Sequence, residues 1–208
     1  MILKIIFCLI FGYLFGCFST GFFVGKINKV DIRKYGSGNV GATNTLRTMG
    51  AKAAAFTLAG DCIKAVAAIL LVKLVFFGGD AALDLLAIYT GLGVVIGHNY
   101  PFWLKFKGGK GMAATGGAMA TIDPLIIPIG LPIFVLSILI TKYVSVGSLA
   151  IAILFPIWVA IRFPGNIHML LVAFAFTVLA FIRHQSNIKR LLAGTENKIG
   201  QRVKVEKQ

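Results

Sequence analysis

Three short polar clusters interrupt an otherwise apolar chain, and each is rich in residue types that bind phosphate groups in proteins. The first cluster covers 36–47, the second covers 97–111 and the third covers 184–196. Glycines permit backbone conformations that aim several N–H groups at one anion, while lysine, arginine and hydroxyl side chains add charge and hydrogen bonds. The clusters therefore predict an anion-binding site, and phosphate is a natural ligand for it.

The first cluster reads GSGNVGATN and is followed by Arg47. A flexible turn is the alternative interpretation, but a plain turn rarely needs nine residues of this kind between dense apolar runs. We therefore favour a binding loop. Its candidate residues are Gly36, Ser37, Gly38, Asn39, Gly41, Thr43, Asn44 and Arg47.

The second cluster ends in KFKGGKG, directly before an apolar segment. Glycines that expose backbone N–H groups, alternating with lysines at a helix N-terminus, form an electropositive anion site. The spacing of a nucleotide-binding Walker loop is missing, because Leu104 stands five residues before Gly109 and neither serine nor threonine follows Lys110. Lysines that merely mark a cytoplasmic loop would explain Lys105 but not the glycine run. The candidate residues are His98, Lys107, Gly108, Gly109, Lys110 and Gly111.

The third cluster, HQSNIKRLLAGTE, has the spacing of a helix that follows an apolar segment. Residues three and four apart are neighbours on a helix, so His184 and Asn187 would face one ligand, with Leu191 on the same face. Arg190 is a further candidate for anion binding. An ordinary basic tail that contacts anionic lipid headgroups is the alternative, and from Lys198 onward we prefer it.

Other ionisable and sulfur-bearing residues lie within or near apolar runs. Asp61 and Lys64 stand three apart, where an unpaired charge would be costly, so we expect an ion pair, with a proton or substrate pathway as the alternative. His168 is expected to be structural. The three cysteines lack the spacing of metal ligands, and nothing in the sequence requires a metal, a nucleotide or another cofactor.

The composition is that of a membrane protein. Hydrophobic residues make up 58% of the 208 residues and charged residues only 13%, whereas soluble domains carry about a quarter charged residues. A net charge of +14 can indicate a nucleic-acid-binding protein, but these cations fall between apolar runs, so no nucleic-acid partner is expected. We predict one membrane domain over 1–208, with a short basic cytoplasmic tail from about residue 184.

Seven apolar runs predict seven transmembrane helices, some of them short. The runs lie at about 2–25, 52–77, 82–98, 111–122, 125–140, 145–161 and 167–182. The first run is too long for a signal peptide, so we expect a retained first helix. Asp123-Pro124 interrupts the stretch 111–140, which could therefore form either two spans or one bent span.

The positions of lysine and arginine decide between these alternatives, because both concentrate in short cytoplasmic loops. With seven spans, 17 of the 21 Lys and Arg residues fall on one side and only Lys4 and Arg162 on the other, while Lys64 and Lys73 lie within spans. One merged span would divide them 10 against 9. We therefore predict an all-α integral membrane protein with seven transmembrane helices, an outside N-terminus and a cytoplasmic C-terminus. All three clusters then lie at the cytoplasmic face.

Together the three clusters resemble the three motifs of the bacterial acyl-phosphate:glycerol-3-phosphate acyltransferase family. GSGNVGATN at 36–44, GHNYPFWLKFKGGKG at 97–111 and HQSNIKRLLAGTE at 184–196 occur in the family's order, and the resemblance covers the whole chain. It implies transfer of an acyl group from a fatty acyl phosphate to the 1-hydroxyl of glycerol 3-phosphate. The products would be lysophosphatidic acid and inorganic phosphate, in the first acylation step of phospholipid biosynthesis.

The resemblance also implies residue roles and a location. Ser37, Lys107, His184 and Asn187 are the expected catalytic residues, and the other candidates of the three clusters would bind substrate. The protein would lie in the bacterial cytoplasmic (inner) membrane, with its active site at the cytoplasmic face and no cofactor. An upstream enzyme would supply the acyl phosphate.

The acid–base chemistry remains open at this point. No histidine is followed five residues later by aspartate, the arrangement of soluble-type glycerolipid acyltransferases, and a Gly-x-Ser-x-Gly nucleophile elbow is missing. An acyl phosphate has a good leaving group, so direct transfer needs mainly positioning and charge stabilisation. The hydroxyl proton would pass either to His184 or to a substrate phosphate oxygen.

Two other functions compete with acyl transfer. A transporter or flippase for an anionic lipid or organophosphate would also suit seven helices with kinks. Such a protein should place polar residues near the bilayer midplane and often has inverted repeats, whereas these clusters lie at one rim. A non-catalytic lipid-binding or scaffold protein would need only the basic tail, and it would leave the glycine runs without a role.

Overall fold

The computed structural model describes residues 1–203, which form an assembly of helices without β-strands. The end of the predicted basic tail, 204–208, lies outside the described residues. The all-α prediction is confirmed for the part that is described. The α-helices are α1 Ile2–Cys17, α2 Thr20–Ile27, α3 Ala42–Met49, α4 Ala51–Leu71, α5 Leu83–Asn99, α6 Met112–Ile122, α7 Ile127–Thr141, α8 Val144–Arg162, α9 Ile167–Arg183 and α10 Gln185–Leu192.

The first apolar run, expected as one helix over 2–25, forms two helices. Phe18 and Ser19 separate α1 from α2, and both have extended backbone angles. The break frees carbonyl groups, and Lys64 Nζ donates hydrogen bonds to those of Gly16 at 3.1 Å and Phe18 at 2.6 Å. Such a partner is needed because lipid offers no water to a freed carbonyl.

Helices α1 and α5 pack with their backbones in direct contact. Gly12 and Gly16 of α1 face Gly93 and Gly97 of α5, and a Cβ at any of these four would lie 2.4 Å or less from a carbonyl oxygen of the other helix. Small residues four apart allow this close approach between helices in membranes. The contact holds the end of α5 in place, and the second cluster begins there.

The interior of the bundle lies between α4, α5, α6, α8 and α9. Ile69, Phe155 and Phe176 are among its buried side chains, and the two phenylalanine rings meet edge to face with centroids 5.0 Å apart. In a membrane bundle such close packing, rather than release of water, holds helices together. The packed interior keeps the ends of the helices that carry the polar clusters next to one another.

The interrupted stretch 111–140 forms two helices instead of one continuous helix. After α6 the chain passes through an extended Asp123 and one turn of 3-10 helix, Pro124–Ile126, before α7 begins. The Asp123 carboxylate accepts hydrogen bonds from Trp158 Nε1 at 3.2 Å and from Arg162 Nε at 2.6 Å. These bonds tie the break to α8.

Three helical stretches of the described chain are long and apolar enough to cross a bilayer by themselves. They are Ile2–Ile27, Pro124–Thr141 and Val144–Arg162. The pair α9 and α10, bent by 59°, would make a fourth. Exposed leucine and isoleucine side chains cover α7, as expected of a helix that faces lipid.

Candidate active site

Side chains from all three clusters line one cavity of about 390 Å³. A neighbouring cavity of about 290 Å³ shares Ser37, Asn39 and Lys110 with it and is also lined by Arg190. The structure thus brings together residues that are far apart in the sequence. The predicted residues that line the larger cavity are Ser37, Asn39, Gly41, Thr43, Asn44, Arg47, His98, Lys110, Gly111, His184 and Asn187.

The first glycine loop, residues 36–41, is organised by one buried side chain. Asn44 accepts a hydrogen bond from the Ser37 N–H at 2.9 Å and donates to two backbone carbonyls at 3.0 and 3.2 Å. Gly36 and Gly38 have φ angles of +61° and +68°, which favour glycine, and neither lines either of these two cavities. Both glycines therefore shape the turn, and Asn44 supports the loop instead of offering a free amide to a ligand.

The side chains that reach the cavity from the first cluster differ in burial. Ser37 is exposed, whereas Arg47 is only 8% exposed. Arg47 Nη2 donates to the Asn197 carbonyl at 3.3 Å, so most of the five N–H donors of the guanidinium remain available to a ligand. Asn39 Nδ2 donates to the Gly108 carbonyl at 3.4 Å, which joins the first and second clusters.

The second glycine loop, residues 108–111, folds back on the end of α5. The N–H groups of Gly108 and Gly109 donate to carbonyls of α5 at 3.1 and 3.0 Å, and a Cβ at Gly109 would lie 1.9 Å from His98 Nε2. These two N–H groups are therefore not available to an anion, which corrects the sequence-based expectation. The available N–H groups lie at the start of α6, after Gly111, where no side chain caps the helix.

Arg183, at the end of α9, holds the second glycine loop from the other side. Its Nε donates to the Gly109 carbonyl at 3.0 Å and its Nη2 to the Gly108 carbonyl at 3.2 Å. The guanidinium also lies over the Tyr100 ring, 5.0 Å from the centroid. The loop is thus clamped between α5 and α9.

Lys107, an expected catalytic residue, lines neither cavity. The chain turns through Lys105 and Phe106, whose φ angles of 54° and 59° are left-handed, and the Lys107 side chain is exposed. Lys110, expected to bind substrate, is the lysine of this cluster that lines both cavities.

Lys110, Asn187 and Glu196 form a chain of hydrogen bonds at the cavity. Lys110 Nζ donates to Asn187 Oδ1, and Asn187 Nδ2 donates to Glu196 Oε1 at 2.6 Å. Ser145 Oγ donates to the same oxygen at 3.2 Å, and Arg190 Nε donates to Oε2 at 2.7 Å. Burial acts to raise the pKa of Glu196, but these hydrogen bonds and the Arg190 charge outweigh it and keep the pKa below its ordinary value.

Lys110 has a lowered pKa, so its charge changes at a pH slightly above neutrality. Burial lowers the pKa of Lys110 to about 8; the Glu196 carboxylate opposes this shift and the neighbouring arginines add to it. The side chain is therefore mostly protonated at pH 7 and loses its charge at slightly higher pH.

His184, directly after α9, is buried with one ring nitrogen engaged. Its Nδ1 lies 2.8 Å from the Ala180 carbonyl. Because a carbonyl only accepts, Nδ1 carries the proton and Nε2 keeps its lone pair. Burial, assisted by the positive charge of Lys110, lowers the pKa of His184 to about 4. The ring is therefore neutral at pH 7 and offers a hydrogen-bond acceptor.

The rest of the large cavity is an apolar channel between α4, α6, α7 and α8. Along α6 its lining extends from Met112 to Ala120, which is about 12 Å at 1.5 Å per residue. A channel joined to a charged pocket suits a molecule with a phosphate group and a hydrocarbon tail. Other apolar lining residues are Leu58, Ile127, Leu131, Phe134 and Ile151.

Glu196, Ser145 and Arg183 were not predicted as site residues. Glu196 ends the third cluster and is one of only 7 acidic residues in a strongly basic chain. The rarity of acidic residues could have identified Glu196 as a candidate site residue. Ser145 and Arg183 carry no comparable signal, because a serine near a helix start and an arginine at a helix end are ordinary.

A sequence profile described as glycerol-3-phosphate acyltransferase matches residues 6–194. The glycerol-3-phosphate acyltransferase of Thermoanaerobacter pseudethanolicus is 44% identical over 198 residues, covering 95% of this chain and 96% of the relative. That of Clostridioides difficile is 46% identical over 193 residues, covering 91% and 93%. The chain belongs to the glycerol-3-phosphate acyltransferase family.

Two solved structures of this acyltransferase family share the fold. Both are described as PlsY (YgiH), an integral membrane glycerol 3-phosphate acyltransferase, one in a glycerol 3-phosphate form and one in a lysophosphatidic acid form. The first matches with a TM-score of 0.84 and 34% identity, covering 94% of this chain and 96% of that one. The second has a TM-score of 0.82 and 33% identity, covering 95% and 96%. The chain is thus a membrane-embedded acyltransferase of the PlsY type, and the resemblance of the three clusters is confirmed.

Proposed function

We propose that this acyltransferase moves a fatty acyl group from an acyl phosphate to the 1-hydroxyl of glycerol 3-phosphate, and releases lysophosphatidic acid and inorganic phosphate. The observation that carries the proposal is the single cavity in which a cluster of cations adjoins an apolar channel. Both substrates carry a phosphate and one also carries a hydrocarbon tail. The glycerol 3-phosphate and lysophosphatidic acid forms of the related PlsY support the acceptor and the product.

The residues around the cavity support an acyl phosphate as the donor. Its carbonyl is already activated by a phosphate leaving group, so the protein needs to supply orientation and positive charge. Arg47 and Lys110 supply that charge at the larger cavity, and Arg190 adds to it at the smaller one. Direct transfer then requires no nucleophile from the protein.

We assign the two phosphates to different parts of the site. Arg47, with the Ser37 hydroxyl, binds the phosphate of glycerol 3-phosphate, because a guanidinium with free donors can engage a phosphate in a forked geometry. The acyl phosphate binds Lys110 and the uncapped start of α6, where the helix dipole favours an anion. Asn187 holds Lys110 in place, and the acyl tail occupies the channel along α6.

In the proposed reaction the 1-hydroxyl oxygen attacks the acyl carbonyl carbon, the bond from that carbon to the phosphate oxygen breaks, and phosphate leaves. The hydroxyl proton needs an acceptor. His184, with a pKa of about 4, is a weaker base than a phosphate monoester, whose second pKa is about 6. We therefore assign the proton to a substrate phosphate oxygen. The 1-hydroxyl has no second hydrogen to donate, so His184 Nε2 accepts a hydrogen bond from the neighbouring 2-hydroxyl and orients the glycerol backbone.

The pH dependence of kcat separates the two candidate bases. With a phosphate oxygen as the base, kcat should fall as the pH drops below about 6, the second pKa of a phosphate monoester. With His184 as the base, kcat should persist down to a pH of about 4. His184→Ala should retain the fall near pH 6 at a reduced plateau. A plateau that extends to pH 4 in the unmodified protein would reverse the assignment.

We further propose that the chain crosses the bacterial inner membrane seven times, with the N-terminus outside and the cavity on the cytoplasmic side. The pair α1–α2 and each of α4 to α9 would provide one span. The one-sided distribution of lysine and arginine supports this arrangement. In intact cells an impermeant thiol reagent should label Gly79→Cys, and it should label Ser186→Cys only after permeabilisation, both in a background without the native cysteines. Labelling of Ser186→Cys in intact cells would overturn the orientation.

Acyl transfer is tested with the purified protein in lipid vesicles, given acyl phosphate and labelled glycerol 3-phosphate. Lysophosphatidic acid and inorganic phosphate should form in equal amounts, and acyl-coenzyme A should not replace the acyl phosphate. Arg47→Ala should raise the KM for glycerol 3-phosphate. Label that enters sealed vesicles without product would instead indicate the transporter, and phosphate release without lysophosphatidic acid would indicate a hydrolase.

A further inference from the structure

Three buried ionisable side chains next to the cavity have no role in the reaction as described so far. Asp61 and Lys64 in α4, and His98 near the end of α5, are 1%, 6% and 5% exposed. Lys64 Nζ lies 3.1 Å from Asp61 Oδ1, and His98 Nδ1 lies 3.6 Å from the same oxygen. Asp61 and His98 both line the cavity. Because charged groups inside a membrane bundle are costly, they mark a candidate functional site.

Lys64 acts as a junction between three helices. Its Nζ donates to the carbonyls of Gly16 at 3.1 Å and Phe18 at 2.6 Å, where α1 gives way to α2, and it lies 2.8 Å from His98 Nδ1. The neighbouring Asp61 carboxylate balances the charge of the ammonium. The position of the His98 ring is therefore set from α1 and α4 as well as from its own helix.

The contact with Lys64 determines which nitrogen of His98 carries the proton. An ammonium group only donates, so Nδ1 accepts, and the neutral ring then bears its hydrogen on Nε2. Nε2 lies 1.9 Å from where a Cβ of Gly109 would be, so the protonated nitrogen adjoins the second glycine loop. His184 has the opposite tautomer, because its Nδ1 faces a carbonyl. The site thus holds one neutral imidazole donor and one neutral imidazole acceptor.

We propose that Lys64 and Asp61 are positioning residues that hold His98 as a neutral Nε2–H donor to the phosphate bound at the second glycine loop. The inference rests on the proposed function for the identity of that phosphate as part of the acyl phosphate. Negative charge grows on this group as the carbon–oxygen bond breaks. A donor already fixed in place stabilises that charge more in the transition state than in the bound substrate.

Nitrogen-15 NMR of the full chain in lipid nanodiscs, labelled at its three histidines, reports the tautomers. His98 should be protonated at Nε2 and His184 at Nδ1, with His98→Gln and His168→Gln to assign the signals. Lys64→Met should give His98 a mixture of tautomers, because the donor to Nδ1 is gone. Protonation of His98 at Nδ1 in the unmodified protein would overturn the proposal.

Inorganic phosphate is the probe for the donor role. At concentrations that shift the His184 signal, phosphate should also shift the His98 Nε2 signal. His168 pairs with Tyr89 at 2.6 Å and lines neither cavity, so its signal should stay in place. A shift at His184 without one at His98 would contradict the donor role.

Kinetics test the positioning role. Lys64→Met should lower kcat/KM for acyl phosphate about 10²-fold, as expected for a misplacement of about 1 Å, and should change the KM for glycerol 3-phosphate less than about twofold. Because this change leaves Asp61 unpaired, the double variant Asp61→Asn/Lys64→Met, which removes both charges, is measured beside it. Lys73→Met is the matched control, since Lys73 follows α4 and pairs with Asp84 at 3.6 Å.

The control variant should keep its activity, while both Lys64 variants should lose acyl-phosphate turnover. Equal losses in all three, or an unchanged kcat/KM in the double variant, would overturn the proposal. The NMR measurements need no turnover. If His98 carries its proton on Nε2 but no lysophosphatidic acid forms, the proposed acyl transfer is rejected and the donor role of His98 stands. If the protein is active but His98 carries its proton on Nδ1, only the donor role of His98 is rejected.

Discussion

The two glycine loops bind the same chemical group in our proposal, yet they are held in different ways. The first glycine loop, 36–41, is exposed at its tip, and its backbone N–H groups donate to two side chains nearby in the sequence, Asn39 and Asn44. The second glycine loop, 108–111, is buried and is held by groups far from it along the chain, His98 and Arg183 among them. The first loop is held mainly by neighbours in the sequence, with one bond from Asn39 to the distant Gly108, and the second loop is held by the tertiary structure.

Because the two loops are held differently, we expect them to have different roles in the reaction. A locally bonded, exposed loop can adjust to a small water-soluble substrate, whereas a loop clamped between α5 and α9 keeps a reacting phosphate in one orientation. We therefore expect changes in the second glycine loop to lower kcat, and changes in the first glycine loop to act mainly on the KM for glycerol 3-phosphate.

Removal of the buried cation should have the largest effect. Lys110→Met should lower kcat/KM for acyl phosphate about 10²- to 10³-fold, because loss of one partner of a buried, hydrogen-bonded charge costs about 2–5 kcal/mol. Lys105→Met removes an exposed lysine that lines neither cavity, and it should change little. Steady-state kinetics of both variants decide the matter, and equal losses would contradict the assignment of the acyl phosphate to Lys110.

The second-largest effect should come from a larger side chain in the second glycine loop. Gly109→Ala places a Cβ 1.9 Å from His98 Nε2, and overpacking of about 1–3 kcal/mol should lower kcat about 10- to 100-fold. Gly78→Ala is the control, because its Cβ would meet its nearest neighbour at an ordinary 3.5 Å. The measurement is kcat together with thermal unfolding. If Gly109→Ala kept the full kcat, the second glycine loop would be as adaptable as the first.

The charge of Lys110 should make the second site sensitive to alkaline pH. Burial lowers its pKa to about 8, so protonated Lys110 is lost as the pH rises through that value. Then kcat/KM for acyl phosphate should fall about tenfold per pH unit above it. Lys110→Arg should move this fall to higher pH, because a guanidinium stays protonated. The same fall in both proteins would assign it to another group.

The smallest effects should come from the first glycine loop. Gly36→Ala places a Cβ 2.3 Å from Asn44 Oδ1, whereas at Gly38 the nearest atom is a carbonyl oxygen at 3.1 Å. Both positions have left-handed φ angles, so both changes carry strain of roughly 1 kcal/mol, and only Gly36→Ala also displaces Asn44. We expect the KM for glycerol 3-phosphate to rise more in Gly36→Ala, with kcat nearly unchanged in both. If kcat fell by a larger factor than the KM for glycerol 3-phosphate rose, the two loops would not differ in their kinetic roles.

Much of the fold could be predicted from the chain because lipid imposes simple rules on it. Apolar runs mark helices, and Asp123-Pro124 marks a helix end, since an extended residue before proline is incompatible with a continuing helix. The division of the first run at Phe18 and Ser19 could not be predicted in this way. Lys64, 46 residues further along, supplies the Phe18 carbonyl with its partner.

For the candidate site, the sequence indicated which clusters to consider together, and the structure shows that their side chains line one cavity. Glycine, lysine, histidine and asparagine in three short clusters predicted anion binding, because these residue types have few other uses beside dense apolar runs. The choice between Lys107 and Lys110 required the turn through Lys105 and Phe106, which leaves one lysine exposed and the other lining the cavity. The resemblance alone favoured Lys107 as the catalytic lysine.

By itself the sequence determined that this is a helical membrane protein, and it predicted that its polar clusters bind phosphate, because composition and spacing are properties of the chain alone. Only the tertiary structure decided which groups remain free to bind. It engages the N–H groups of Gly108 and Gly109, leaves those at the start of α6 available, and places the Lys64 ammonium beside Nδ1 of His98 but the Ala180 carbonyl beside Nδ1 of His184. Hydrogen-bond donors and acceptors are finite, so their availability depends on neighbours that folding brings from other helices.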